Sequence, residues 1–255
     1  MVIKAFIDMY ASDHSITGIG KEDNLENLEN TQFDAVIFAA QSADYKKDII
    51  TRDLNYVNVI LLQKTLQLIS ADKFIYFSTG SVYKAREDGI YSDRSAVIDK
   101  TDNPYIFTKL KGEEIVSDFQ NKFKTIHVLR PFYMYGKGQK DTMLVTSLYK
   151  RILNGEDITI NGADGLIFNP VYADDVAKLL QHLLTLGLSG RKICNVAGSE
   201  IVCLKEVIDY IGQILHARPV VKIKDADTTK MIAEVNVPGW KAETGWKEGL
   251  QKMFA

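Results

Sequence analysis

A tyrosine and a lysine lie four residues apart in the segment NPYIFTK, at the start of a predicted helix. Because side chains four residues apart share one face of a helix, Tyr105 and Lys109 are predicted to be neighbours. An ammonium group beside a phenol favours the phenolate and lowers its pKa from about 10, which suits general acid–base catalysis. The alternative is that the Tyr105 ring packs on a sheet while Lys109 lies at the surface.

Small and hydroxyl-bearing residues follow several predicted strands. Ser78 and Thr79 follow the strand in KFIYFSTGSVY, Ala39 and Ala40 end the strand in FDAVIFAAQ, and the strand in LRPFYMYG ends at Pro131. In open α/β sheets, ligands bind beyond the carboxyl ends of the strands. We therefore expect a ligand site at this edge, where the two alanines let a flat cofactor lie close to the backbone.

Alternating strands and helices must position these residues. Apolar runs predict strands, and longer amphipathic stretches predict helices; their order predicts an α/β fold with a doubly wound, mostly parallel sheet. The predicted strands are Ser15–Ile19, Ala35–Ala39, Phe74–Phe77 and Thr125–Leu129, and the predicted helices are Asp48–Ile69, with an apolar stripe from Ile49 and Ile50 to Ile69, and Asn103–Phe123.

Shorter elements follow residue 138 and predict a second, smaller α/β lobe. We assign residues 1–138 and about 171–196 to the sheet domain, and residues 139–170 and 197–255 to the lobe, which would bind the substrate. The predicted elements are a helix at Met143–Leu153, a strand at Ile158–Ile160, a turn at Asn161–Gly165, a helix after Tyr172, a strand at Lys192–Val196, a helix at Leu204–Leu215 and a strand at Val220–Ile223.

Composition excludes several classes of protein. The 255 residues are 46% hydrophobic and 25% charged, as in globular domains, and 31 Lys and Arg against 33 Asp and Glu leave no basic field for nucleic acid. No apolar run approaches the roughly 20 residues of a membrane span, so we expect a cytoplasmic protein. Cys194 and Cys203 form neither a metal pattern nor a disulfide framework, and no metal site is expected.

Taken together, the motifs resemble the NAD(P)-dependent epimerase/dehydratase family, the extended short-chain dehydrogenase/reductases that modify nucleotide sugars. The resemblance rests on FDAVIFAAQ, VNV with Asn58, FSTGSVY, NPYIFTK, LRPFYMYG and NPVYADDV. It implies a Rossmann-like sheet that binds NAD or NADP, a nucleotide-sugar substrate, and a homodimer formed through the helices at Asp48–Ile69 and Asn103–Phe123.

The resemblance also assigns roles to individual residues. Tyr105 would be the catalytic acid/base, Lys109 would lower its pKa and bind the nicotinamide ribose, and Thr79 would position the sugar hydroxyl or carbonyl. The implied reaction is hydride transfer between a sugar carbon and the nicotinamide, coupled to proton transfer through Tyr105. The residues implied to contact the cofactor are Ala39, Ala40, Asn58, Ser78, Tyr105, Lys109, Pro131 and Phe132.

Each of these assignments has a structural alternative. Asn58 can be a buried amide with its hydrogen bonds satisfied, Thr79 can serve only to cap a turn, and Phe132 can belong to the core. The adjacent acids Asp174 and Asp175 start a predicted helix, where negative charge suits the helix dipole. We interpret these two acids as structural.

The sequence departs from the family pattern at its start. The family opens with a strand and a Gly-x-x-Gly-x-x-Gly turn that holds the pyrophosphate, but the first glycine is Gly18 and Val2–Tyr10 matches the helix that follows that turn. We therefore expect weak or absent dinucleotide binding. Three explanations stay open: residues upstream of Met1, a naturally degenerate family member, or a strand at Met1–Ile7 without the glycine turn.

Three further departures narrow the reaction and the cofactor. Gly80 and Ser81 replace the Asp-Glu pair of sugar 4,6-dehydratases, which disfavours dehydration. The segment Phe168–Pro170 replaces an arginine that holds a nucleotide diphosphate, which weakens the nucleotide-sugar assignment. Gly20 and Lys21 replace the acid of NAD-preferring members and favour NADP, although Glu22 and Asp23 lie close by.

The sequence thus predicts an NAD(P)-dependent epimerase or keto-reductase of a nucleotide-activated sugar, with a role in surface polysaccharide synthesis. Its activity would be impaired if the glycine turn is missing. The alternative is a non-catalytic Rossmann-like protein that keeps Tyr105 and Lys109 by descent and acts in binding or regulation.

Overall fold

The computed structural model describes residues 1–20, 23–29, 31–42 and 45–255. In chain order, its helices and strands are α1 (Val2–Tyr10), β1 (Gln32–Phe38), α2 (Arg52–Asn55), a π-helical turn (Tyr56–Leu61), α3 (Leu62–Leu68), β2 (Ser70–Phe77), β3 (Ile90–Tyr91), α4 (Pro104–Asp118), β4 (Thr125–Pro131), β5 (Met134–Tyr135), α5 (Leu144–Leu153), β6 (Ile158–Asn161), β7 (Leu166–Phe168), β8 (Val171–Tyr172), α6 (Ala173–Thr185), β9 (Gly190–Val196), β10 (Val202–Cys203), α7 (Leu204–Ile214), β11 (Val221–Lys224), β12 (Thr229–Ala233) and α8 (Trp246–Phe254). Short 3-10 turns lie at Leu25–Leu28, Gly80–Val82 and Gln120–Lys122.

Four parallel strands form the central sheet in the order β1-β2-β4-β9. The residues of β2 and β4 are mostly buried because a strand lies on each side of them. In β1 only Phe38 is buried, and within the described part of the chain β2 is the one strand that pairs with it. β1 is therefore an edge strand of this sheet.

Helices cover both faces of the central sheet. Helices α1 and α6 pack on one face, around Phe77 and Leu129, whereas α3 and α4 pack on the other face, around Tyr76 and Val128. Successive strand residues point to opposite faces, so each strand supplies both cores. The predicted doubly wound, Rossmann-like α/β fold is confirmed.

The remaining elements build the smaller C-terminal lobe around a second core. In this lobe β11 pairs with β6, and β7 pairs with β10 and β12. The core side chains come chiefly from α5, α7 and β6, and Phe168 and Leu250 complete it. Val237 and Ala242 lie in the part of the chain predicted to belong to the lobe, but they pack into the core of the central sheet. The proposed domain boundaries stay a prediction.

From Thr125 onward the predicted elements are present within one or two residues of their expected bounds. Earlier in the chain, β1 and β2 begin three and four residues before their predicted starts, and α4 ends at Asp118 rather than Phe123. The strand predicted at Ser15–Ile19 is wrong. These residues have no regular structure, and both isoleucines of the segment, Ile16 and Ile19, are exposed. Within the described part of the chain, no strand pairs with the apolar run that predicted this element. The alternative strand at Met1–Ile7 is also wrong, because α1 begins at Val2.

The helix predicted at Asp48–Ile69 begins later than expected. The Thr51 side chain accepts a hydrogen bond from the Leu54 amide and caps the helix, which starts at Arg52. Ile49 and Ile50 therefore precede the helix and are exposed rather than part of its apolar stripe.

Candidate active site

Three of the four parallel strands bring sequence-predicted residues to one edge of the sheet. The register pairs Phe77 with Leu129, and the Ser78 amide donates to the Leu129 carbonyl at 2.8 Å. Ser78 and Thr79 thus lie beside the end of β4, where Pro131 is the last residue. Ala39 and Ala40 follow β1 on the far side of β2 and are half-buried.

Helix α4 places Tyr105 and Lys109 against this edge. The Asn103 side chain accepts a hydrogen bond from the Ile106 amide at 3.0 Å, and Pro104 occupies the first helical position, so the helix begins just before Tyr105. Gly112 lets the helix lie close to the sheet, because a Cβ there would be 2.9 Å from Cζ of Tyr76.

The phenol of Tyr105 is held in its protonated form. Burial raises its pKa to about 12, and the hydrogen bond with the Thr79 side chain acts in the opposite direction but is the smaller effect. The ring of Tyr45 packs edge-on against the ring of Tyr105, with 6.1 Å between their centres. Sequence patterns did not single out Tyr45, because its contact is formed only by the fold.

Lys109 is buried behind Tyr105. Its Nζ donates to the Phe77 carbonyl at 2.9 Å and lies 6.0 Å from the centre of the Tyr105 ring. Burial lowers the pKa of Lys109 to about 8. The expectation that Lys109 lowers the pKa of Tyr105 is not met in this arrangement, because the ammonium turns to a carbonyl and the burial of the phenol dominates.

The Thr79 hydroxyl caps a turn, as its structural interpretation predicts, and its role toward a sugar oxygen stays a prediction. Its oxygen accepts a hydrogen bond from the Ser81 amide at 3.2 Å, which caps the 3-10 turn after β2. The same side chain forms the hydrogen bond with Tyr105. The turn cap therefore fixes the position of the Thr79 hydroxyl, which contacts the phenol of Tyr105.

Asn58 lies in the π-helical turn and is buried against α4. Its Nδ2 donates to Oγ1 of Thr108 at 2.9 Å, and Oγ1 of Thr108 donates to the Tyr105 carbonyl at 3.0 Å. These contacts make Asn58 a brace for the first turn of α4 and agree with the buried-amide interpretation for Nδ2, but not for the whole amide group. Its Oδ1 is buried with no partner in the part of the chain that the structure describes.

Phe132 is only 2% exposed, which favours its core interpretation over a cofactor wall. Its ring packs beside Tyr83 and Tyr91, with ring centres 6.1 Å and 6.0 Å away. The ring also covers Gly80, where a Cβ would lie 2.6 Å from Cδ2 of Phe132. Pro131, in contrast, is half-buried.

Replacing Gly80 with alanine is expected to lower the free energy of unfolding by about 1–3 kcal/mol, the usual cost of overpacking a core. The added methyl group must displace the Phe132 ring. Denaturant unfolding would measure the change, with Gly187→Ala as the matched control, because Gly187 has open space around its Cβ position. Equal stability of the two variants would contradict the tight packing of Phe132 on Gly80.

Other residues from the sequence patterns lie outside this cluster. Asp175 is buried and accepts a hydrogen bond from the Thr244 amide at 2.9 Å, and Asp174 is in the same first turn of α6. This agrees with their structural interpretation. Gly20 donates its amide hydrogen to Asp23 at 2.6 Å, whereas Lys21 and Glu22 lie outside the described residues, so the preference for NADP stays a prediction.

Two charged residues that the motifs did not identify lie directly behind the site. Glu113 and Arg130 form a buried ion pair, and the carboxylate of Glu113 also accepts the hydroxyl hydrogen of Ser78 at 2.5 Å. Glu113 follows Lys109 by four residues, and this spacing could have indicated that it shares the helix face of Tyr105.

The residues at this edge fit the nicotinamide end of a dinucleotide. Lys109 uses one N–H on the Phe77 carbonyl and keeps two donors for ribose hydroxyls. The short side chains of Ala39 and Ala40 leave the backbone open at the end of β1.

No helix among the described residues has the length and apolar character needed to cross a membrane.

Comparison with known proteins gives a consistent picture. The model of the NAD dependent epimerase/dehydratase family matches residues 15–197. Among curated relatives, GDP-6-deoxy-D-mannose reductase of Pseudomonas aeruginosa is 25% identical over 243 residues, which cover 88% of this chain and 78% of that protein. A trifunctional UDP-glucose 4,6-dehydratase/UDP-4-keto-6-deoxy-D-glucose 3,5-epimerase/UDP-4-keto-L-rhamnose-reductase of Arabidopsis thaliana is 24% identical over 79% of this chain, which spans only 32% of that relative.

Solved structures share the fold. The structure of RMD from Pseudomonas aeruginosa complexed with NADPH superimposes with a TM-score of 0.78 at 22% identity, and the match covers 99% of this chain and 94% of the other. MoeE5 in complex with UDP-glucuronic acid and NAD gives a TM-score of 0.75 at 23% identity and covers 93% of this chain and 83% of the other.

Proposed function

Because the chain belongs to the NAD dependent epimerase/dehydratase family, we propose that it reduces or epimerises a nucleotide-activated sugar with a nicotinamide cofactor. The observation that carries this proposal is the meeting of Thr79, Tyr105 and Lys109 at the carboxyl edge of the parallel sheet. A relative named as a GDP-sugar reductase and structural neighbours named as UDP-sugar 4-epimerases support it. The roles of the three residues are part of the proposal.

The chemistry divides between the cofactor and the chain. The nicotinamide ring, when bound, supplies or accepts the hydride. Tyr105 transfers the proton at the sugar oxygen, Thr79 holds that oxygen, and Lys109 binds the ribose and stays behind the phenol. A phenol with a pKa near 12 is protonated at neutral pH, so it is ready to donate a proton to a keto sugar. We favour the reductive direction over epimerisation because GDP-6-deoxy-D-mannose reductase matches 88% of this chain.

The dehydratase reaction is disfavoured on packing grounds as well. The dehydratase pattern requires an aspartate at the position of Gly80, and the ring of Phe132 covers that position. An acidic side chain there would have to displace a buried aromatic ring before it could reach a substrate.

A panel of sugars tests the proposed function. The chain is mixed with NADPH or NADH and the 4-keto forms of GDP- and UDP-sugars, and with NADP⁺ or NAD⁺ and GDP-6-deoxy-D-mannose, UDP-glucose or UDP-glucuronic acid. We expect oxidation of NADPH with one keto sugar, followed by absorbance. Absence of both turnover and cofactor binding would instead support the non-catalytic alternative.

Calorimetry with NADPH addresses the expected weakness of dinucleotide binding. The sequence predicts a dissociation constant weaker than low micromolar. In this family a glycine turn holds the pyrophosphate, and the sequence pattern does not contain that turn. A nanomolar to low-micromolar dissociation constant would overturn that expectation and would leave the proposed reaction in place.

We propose that the chain forms a homodimer through the helical face that carries the π-helical turn and α4. These segments pack against each other, and three of their large apolar side chains remain 40–48% exposed: Tyr56, Ile60 and Phe107. Large apolar residues on neighbouring helices are typical of a protein interface.

Substituting Phe107 with glutamate is expected to convert the dimer to a monomer, because the new charge would be buried without a partner. Light scattering after size-exclusion chromatography would show a mass near twice 28.7 kDa for the parent chain and near 28.7 kDa for the variant. Leu153→Glu is the control, since Leu153 is 60% exposed on the other lobe. A monomeric parent chain would contradict the proposed dimer.

A further inference from the structure

A buried ion pair lies directly behind the sheet edge that carries Ser78 and Thr79. Nε of Arg130 donates to Oε1 of Glu113 at 2.9 Å, and Nη2 of Arg130 donates to Oε2 at 2.6 Å. The two side chains are 3% and 7% exposed. This is the bidentate geometry that fixes the relative orientation of both groups most firmly.

The carboxylate of Glu113 connects three elements that carry the site. Glu113 is on α4, one helical turn beyond Lys109, and Arg130 is the residue before Pro131 in β4. The hydroxyl of Ser78, which follows β2, donates to Oε1 of Glu113 at 2.5 Å. The position of α4 is therefore set against the ends of β2 and β4 at a single group.

The hydrogen bonds of Ser78 and Thr79 determine which group accepts the hydrogen of each hydroxyl. An ionised carboxylate can only accept, so the one hydrogen of the Ser78 hydroxyl is used on Glu113, and Ser78 can only accept from a ligand. The oxygen of Thr79 already accepts from the Ser81 amide. Its hydrogen is thus free to be donated to the Tyr105 oxygen or to a sugar oxygen.

Further contacts hold Arg130 from behind. Its guanidinium lies 4.7 Å from the centre of the Tyr83 ring, and the Tyr83 hydroxyl donates to Oδ1 of Asn195 at 2.7 Å. Nη2 of Arg191 lies 3.9 Å from Oε2 of Glu113 and adds a second positive charge. Arg130 and its partner therefore have little freedom to change their orientation.

Stability alone does not account for such a pair. Removing two charges from water costs about as much as their attraction returns, and apolar residues of similar volume are often equally stable. A buried pair can instead contribute a unique geometry. Here that geometry is the distance between the Ser78–Thr79 turn and the helix that carries Tyr105.

We propose that Glu113 and Arg130 are positioning residues that hold the Ser78–Thr79 turn against Tyr105, and that Ser78 serves a ligand only as a hydrogen-bond acceptor. This inference rests on the proposed function for its catalytic part. Its structural part is that the ion pair fixes the Ser78–Thr79 turn, and this part is supported by the contacts of Glu113 with Arg130 and Ser78.

The test replaces both charges with apolar side chains of similar length, in Glu113→Met/Arg130→Met. This double variant removes both charges of the pair and is expected to fold, because Arg191, which lies 3.9 Å from Glu113, is 24% exposed and keeps access to water. We expect kcat for the reduced keto sugar to fall about 100-fold, the cost of a misplacement near 1 Å, with the melting temperature and the dissociation constant of NADPH unchanged. Glu114→Gln is the matched control, because Glu114 is exposed on the same helix and pairs with Lys111 at 2.8 Å.

Amide hydrogen exchange provides a second measurement that needs no substrate. In the double variant, the peptide covering residues 77–83 is expected to exchange faster than in the parent chain, whereas a peptide from α7 in the other lobe is not. Ser78→Ala is expected to give the same local change, because it removes the link to Glu113.

The two measurements separate the possible failures. Parent-like kcat and unchanged exchange of residues 77–83 in the double variant would overturn the positioning proposal. A parent chain that turns over no sugar of the panel would overturn the proposed function, and the exchange of residues 77–83 would then decide the positioning proposal alone: faster exchange supports it and unchanged exchange refutes it.

Discussion

Tyr105→Phe is expected to reduce turnover by about 10²–10⁴-fold, the usual contribution of a general acid or base, and to leave NADPH binding unchanged. The substitution removes one oxygen from a half-buried ring and keeps the packing against Tyr45. Steady-state rates on the keto sugar found by the panel and calorimetry with NADPH are the two measurements.

Tyr10→Phe is the matched control for this substitution. Tyr10 is half-buried at the end of α1, where its ring packs beside Phe6, so the loss of its hydroxyl is expected to leave kcat unchanged. If Tyr105→Phe turned over sugar at the parent rate, Tyr105 would lose its proposed role, whatever the control showed.

Lys109→Met is expected to abolish reduction of the keto sugar and yet to stabilise the fold. Burial holds the pKa of Lys109 at about 8, against 10.5 for an ordinary lysine. That difference in pKa corresponds to a cost of about 3 kcal/mol for keeping the buried lysine charged at neutral pH. Loss of the hydrogen bond to Phe77 offsets roughly 1 kcal/mol, so we expect a net gain of about 2 kcal/mol and a melting temperature higher by about 4–8 °C.

The dependence on pH distinguishes this explanation from a simple packing effect. Between pH 8 and 10.5 the unfolded chain binds the lysine proton and the folded chain does not, so the stability of the parent chain rises with pH in this interval. The burial cost is fully present below pH 8 and is lost as the pH approaches 10.5. The gain from Lys109→Met, measured by urea unfolding, should therefore fade over the same interval. A gain that does not vary with pH, or a loss of stability at pH 7, would refute the explanation.

The sequence was sufficient to predict those parts of the site that depend on local rules. The spacing of Tyr105 and Lys109 and the start of α4 at Pro104 follow from helix geometry and capping. Ser78 and Thr79 lie beside Pro131 because the strands that they follow or end are parallel, and the carboxyl ends of parallel strands lie at one edge of the sheet.

The remaining features depend on contacts between distant parts of the chain. The pairing of Glu113 with Arg130 and the direction of the Lys109 ammonium toward Phe77 are decided by packing, and no local pattern encodes them. Burial then set the pKa of Tyr105 in the opposite direction to the one expected from its spacing to Lys109. The false strand at Ser15–Ile19 shows the same limit, since a short apolar run forms a strand only where a neighbouring strand exists to pair with it.

The order of strands in the central sheet has a consequence for synthesis on the ribosome. β4 ends at Pro131, but its second neighbour, β9, begins only at Gly190. While residues 132–189 are being added, β4 presents a free hydrogen-bonding edge, and pairings between such distant segments form slowly. The nascent chain therefore passes through a stage in which one apolar edge strand is open to association with other chains. We expect the yield of native protein to depend on chaperones during this stage more than on the stability of the finished fold.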